Sequence, residues 1–149
     1  MLKKRSAKKS RTKAKFALSG KSKDSVRSDD AVDFASAFEA LKKVMSAFEN
    51  DLRATANEPR KYYLVTKAQS WKGGPMFFGA VMMGKAYVSY HLFPLYVCPE
   101  LGKTVSSALK KRMQGKTCFN FGAPDSALFA ELGDLTRAGL EKYRAKNWL

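Results

Sequence analysis

Two apolar stretches joined by a very short turn constrain this chain most. MFFGAVMM, residues 76 to 83, is an unbroken apolar run of strand length, and AYVSYHLF, residues 86 to 93, follows directly after Gly84-Lys85. So short a connection makes the pair a β-hairpin, with antiparallel strands. The unbroken run reads as a strand covered on both faces. In the second strand, alternation places Ala86, Val88, Tyr90 and Leu92 on one face and Tyr87, Ser89, His91 and Phe93 on the other. The first set is the more apolar and is assigned to the core.

The flanking segments supply helices and further strands. Phe34, Phe38, Leu41, Met45, Phe48 and Leu52 recur at spacings of three and four, one stripe on one helical face. Asp30 is the expected N-cap, Asp33 an acid in the first turn, and Asn57 with Pro59 the stop. YYLVT (62 to 66) reads as a strand and SWKGGP (70 to 75) as a turn. After the loop bracketed by Pro94 and Pro99, Ser106 caps a short helix through ALKKRMQ, with Gly115 as its left-handed end. TCFNF (117 to 121) alternates as a strand. A last helix starts near Pro124, with Leu128, Leu132, Leu135, Gly139 and Tyr143 along its stripe. Gly133 and Gly139 each cost about 1 kcal/mol against alanine in a helix, so both mark expected close packing on the sheet. The order α-β-β-β-α-β-α gives an α+β fold: a small curved antiparallel sheet of about four strands with helices on one face.

Charge divides the chain differently. Of its 149 residues, 28 are Lys or Arg and 13 are Asp or Glu, a formal net charge of +15. Residues 1 to 29 form a basic segment whose few apolar residues show no period, which predicts a disordered tail ahead of a folded domain at 30–149. Such a polycation neutralises phosphates and releases counterions. Lys3, Lys4, Arg5, Lys8, Lys9, Arg11, Lys13 and Lys15 are therefore candidate contacts for DNA or RNA, without base readout. No apolar run has the length of a membrane span, and no secretory h-region follows the charged start. With only Cys98 and Cys118 for thiols, the expectation is a cytoplasmic protein with free cysteines.

The blocks MFFGAVMMGKAYVSYHLFPLY, LKKRMQGKTCFNF and LFAELGDLTRAGLEKYR resemble the YdhG-like domain of unknown function, over roughly residues 33 to 147. KRMQGKTCFNF and YVSYHLFPLY are the most specific parts. The resemblance implies a curved sheet packed by helices and no assigned activity, with frataxin-like intracellular iron delivery known among relatives. Iron would come only through that resemblance, and no other cofactor is expected. Hard iron favours oxygen ligands, and the acids near the first helix (Asp29, Asp30, Asp33, Glu39, Glu49 and Asp51) stand among lysines.

Catalysis finds little to work with. His91 is the single histidine. One histidine and two separated cysteines lack paired zinc-ligand spacing. Ser89 and His91 share a face, but no sequence feature supplies an orienting acid or an oxyanion hole. The expectation is a non-enzymatic binding domain. Trp71, Tyr87 and His91, with the basic Lys110, Arg112 and Lys116, form the expected ligand face, suited to a small anionic ligand or a protein partner. The competing readings are a hydrogen-bonded framework histidine and cations that stabilise a helix C-terminus. Cys118 reads as a packed or half-exposed thiol, with Lys116 close enough in sequence to lower its pKa.

Overall fold

The computed structural model describes residues 32–69 and 72–149. The basic tail, Asp30 and Trp71 lie outside the described residues. Asp33–Leu149 forms one compact unit.

The first helix, α1 (Phe34–Ser46), buries Ala37, Phe38, Leu41 and Met45, the expected stripe. Asp33 caps it: its carboxylate accepts from the Ser36 amide at 3.1 Å. Such a cap is worth about 1 kcal/mol. Asp33 is thus the cap itself, where Asp30 was expected. The helix also ends earlier than the stripe suggests. Successive i→i−3 bonds, Phe48 to Met45 and Leu52 to Glu49 among them, tighten the chain into a reversal. Leu52 then opens β1 (Leu52–Glu58), an edge strand absent from the sequence expectation. Leu52 is buried, as the stripe required, but from a strand. Pro59 does not stop a helix. It sits with Arg60 in the two-residue turn to β2 (Lys61–Thr66), where Glu58 pairs with Lys61.

Next come β3 (Phe77–Met83) and β4 (Val88–Leu92), which pair in antiparallel register as expected. Their turn is centred one residue later, on Lys85-Ala86, because the Gly84 amide donates to the Tyr87 carbonyl at 2.9 Å. After Leu92 follow a single helical turn α2 (Pro94–Val97), a 3-10 turn (Pro99–Thr104) and α3 (Ser107–Lys110). Ser106 caps α3 as expected, accepting from the Leu109 amide, and donates through its amide and hydroxyl to the Glu131 carboxylate at 2.7 Å each. The helix is shorter than ALKKRMQ. Met113–Gln114 is a second missed strand, β5, and Gly115 at φ +77° turns the chain into β6 (Cys118–Phe121) instead of ending a helix. The chain closes with α4 (Ser126–Ala145), capped by Asp125.

The α+β class stands, with six strands instead of about four, all antiparallel, in the order β1-β2-β3-β4-β6-β5. The sheet is open, and α1 and α4 pack on one face. Val88, Tyr90 and Leu92 are fully buried, so alternation assigned the core face correctly within β4, while Ala86, also expected there, is exposed in the turn. The continuous run of β3 is covered on both faces through Val81, with Ala80 on the helix-free face 1% exposed, and the cover ends at Met82, 38% exposed. Two hydroxyls pin α4 to the sheet: Tyr90 meets Thr136 at 2.6 Å, and Tyr143 donates to the Phe77 carbonyl at 2.7 Å.

The two glycines of α4 differ. A Cβ on Gly139 would lie 2.8 Å from both Cβ and Cγ of Pro94, whereas one on Gly133 would meet only Val44 Cγ1 at 3.8 Å. Close packing therefore holds for Gly139 alone, and its neighbour is α2, not the sheet. Gly133→Ala should stabilise the protein by about 0.5–1 kcal/mol through helix propensity. Gly139→Ala should destabilise it by about 1–3 kcal/mol through overpacking. Urea denaturation of the two variants checks the opposite signs.

Candidate functional site

The face of the sheet opposite the helices carries the candidate groups. Cross-strand register builds it row by row. Tyr63 pairs with Ala80, Ala80 with His91, and His91 with Cys118. In the adjacent row Lys61 pairs with Met82, Met82 with Ser89, and Ser89 with Asn120. Ser89 and His91 on β4 thus stand against Asn120 and Cys118 on β6, a polar block two residues by two.

The block is internally bonded. Ser89 Oγ and Cys118 Sγ each donate to Asn120 Oδ1 at 3.2 Å, and Asn120 Nδ2 donates to Gln114 Oε1 at 2.6 Å. His91 Nε2 lies 3.9 Å from Cys118 Sγ. His91 is half-buried, and burial alone holds its pKa below the usual 6.5. Burial pushes the Cys118 thiol up, partly offset by Ser89. Both shifts favour the neutral forms, so this pair is not a thiolate–imidazolium couple. The sequence-based expectation that Lys116 lowers the Cys118 pKa is overturned, because desolvation dominates.

Beside the block runs a chain of aromatic rings. Tyr63 and Phe77 centroids are 4.9 Å apart, Phe77 and Phe93 5.7 Å, and Phe93 stacks on Tyr96 at 5.4 Å. Lys61 Nζ stands 5.5 Å from the Tyr63 centroid. The chain ends at Tyr96, 57% exposed, on the wall of a cavity of about 300 Å³. Leu95, Pro99 and Met113 add apolar wall, and Gly102, Gly115 and Lys116 complete it. Among the described residues, Lys116 has no acidic partner.

Of the expected ligand face, Lys116 lines this cavity, and Tyr87, His91, Lys110 and Arg112 do not. Tyr87 is exposed at the β3–β4 turn, and Lys110 is exposed at the end of α3. Arg112 holds its guanidinium 5.7 Å from the Phe121 ring centroid, a cation–π contact. Tyr96 and Met113 went unnoticed in the sequence, as did the meeting of His91 with Cys118. Alternation in TCFNF does separate Cys118 and Asn120 from the buried Phe119 and Phe121. What it lacks is the register that sets them beside His91.

Among the described residues, no three of His, Cys, Asp or Glu gather as a metal site, and no helix is long and apolar enough to cross a membrane. No family model, curated protein or solved structure matches the chain.

The low pKa of His91 fixes a pH dependence. The unfolded chain takes up a proton near pH 6.5 that the folded chain resists, so stability is complete above that value. It falls as pH drops from there toward the folded-state pKa. His91→Gln should flatten this acid limb in urea melts between about pH 7 and 5. A His91 ring titration midpoint at or above 6.5 would contradict the assignment.

Proposed function

We propose that the chain is a non-enzymatic, cytoplasmic binding domain of YdhG-like type. Its ligand is a small organic anion with an apolar body, seated in the cavity at the end of the aromatic chain. One observation carries this reading: Lys116, without an acidic partner among the described residues, stands on an apolar wall with Tyr96 and Met113. Pockets for small molecules combine such walls with a few polar groups that orient the ligand. A cavity of about 300 Å³ suits a single aromatic ring bearing a carboxylate. The ring would lie against Tyr96 and the carboxylate would take Lys116 as its counter-charge.

A second reading rests on the uneven charge. Residues 1–30 carry more than half of the net +15, which favours a tail that engages DNA or RNA. Iron delivery draws nothing from the geometry, because the described residues offer no carboxylate cluster.

Thermal melting in benzoate and 1-naphthoate, against matched chloride, tests the first reading. Binding to the folded state alone raises Tm with ligand concentration, about 2.7 kcal/mol of stabilisation at a hundred times Kd. The shift should vanish in Lys116→Ala and Tyr96→Ala and persist when residues 1–30 are deleted. A shift lost with the tail instead would transfer the anion response to the polycation. No shift for any carboxylate would end the cavity reading.

A further inference from the structure

We propose that His91 and Cys118 together hold one soft monovalent metal ion, of the copper(I) class, on the open face of the sheet. The site is independent of the carboxylate cavity and needs no residue of its wall.

Distance is the first argument. Metal–sulfur and metal–imidazole bonds of about 2.3 and 2.0 Å sum to about 4.3 Å. Over the 3.9 Å between Cys118 Sγ and His91 Nε2 one ion fits at a sulfur–metal–nitrogen angle of about 130°, and an outward shift of about 0.4 Å would bring the two donors into line. A d10 monovalent ion is satisfied by two donors and prefers them in line, which a shift of that size supplies. Zinc requires four ligands, or three and a water, and the described residues do not gather that many. Thiolate with imidazole is also the soft donor set that selects copper(I) over harder ions.

Placement is the second argument. His91 and Cys118 are paired residues of adjacent antiparallel strands, so their Cα separation is set by the ladder and not by a loop. Asn120 Oδ1 accepts from the thiol at 3.2 Å while Gln114 fixes the amide, so the free thiol is held beside His91 until metal binding removes its proton.

Charge is the third. Binding breaks the S–H bond, releases the proton to solvent and forms the metal–sulfur bond, and copper remains monovalent throughout. The half-buried pair opposes a bare thiolate, but a thiolate bound to a monovalent cation is neutral. Burial therefore discriminates for M⁺ and against divalent ions, which would leave a net positive charge on this face.

The full chain, reduced and anaerobic, is titrated with copper(I) held by bicinchoninate, and uptake is read as loss of the chelator's colour. One equivalent should transfer per chain. Cys118→Ser and His91→Gln should each weaken transfer by more than about tenfold, since even outer-shell contacts are worth that much. X-ray absorption of the loaded unmodified chain should show one sulfur and one nitrogen as nearest neighbours, a result that does not depend on how either variant folds. No transfer from the chelator, undiminished transfer in either variant, or two sulfurs at the metal would each overturn the proposal.

Discussion

A single buried hydrogen bond sets what the rest of the sheet can display. Tyr90, fully buried in central strand β4, meets Thr136 of α4 at 2.6 Å. Thr136 Oγ1 already donates to the Leu132 carbonyl at 2.7 Å, so the phenol is the donor and threonine the acceptor. Both groups lie out of reach of water, and each satisfies the other at the one height of α4 on the sheet where they meet. Burial holds the phenol of Tyr90 far above its ordinary pKa, so the donor proton stays in place. Tyr143, one end further along α4, repeats the device on β3 and stacks edge-on against Phe78.

Once Tyr90 points toward α4, the side chains on either side of it must point away. Side chains alternate along a strand, so Ser89 and His91 emerge on the face without helices. The same rule on β6 buries Phe119 and Phe121 and delivers Cys118 and Asn120 to that face. Ser89, Cys118, Asn120 and Gln114 satisfy one another there through hydrogen bonds, and the imidazole of His91 stands 3.9 Å from the thiol. The aromatic chain from Tyr63 to Tyr96 covers the neighbouring part of the face, which is how a sheet with helices on one side keeps most of β3 out of water.

Much of this was legible in the sequence because alternation and helical spacing are local. The face of His91, the stripe of α1 and the hairpin of β3 with β4 all follow from periods of two or 3.6 residues. The failures share a different cause. Leu52 continues the spacing of α1 yet is buried as the first residue of β1, since burial alone does not distinguish helix from strand at one position. Pro59 punctuates a hairpin as readily as it stops a helix. Met113–Gln114 lies in a segment of good helix formers, and only its pairing with β6 makes it a strand. The candidate sites failed to appear for the same reason: β4 and β6 are joined through all of residues 93–117, so neither the His91–Cys118 contact nor the wall shared by Tyr96 and Lys116 has a local signature.

A double-mutant cycle on Tyr90 and Thr136, followed by urea denaturation, tests the orientation of β4 most directly. Tyr90→Phe removes one hydrogen bond and leaves no donor stranded, a cost of about 1 kcal/mol. Thr136→Val strands the buried phenol, a cost of about 1–3 kcal/mol, and the double variant should cost less than the two singles together. Strictly additive losses, or a Tyr90→Phe change without effect, would mean that Tyr90 does not face α4 and that His91 and Cys118 do not share the open face.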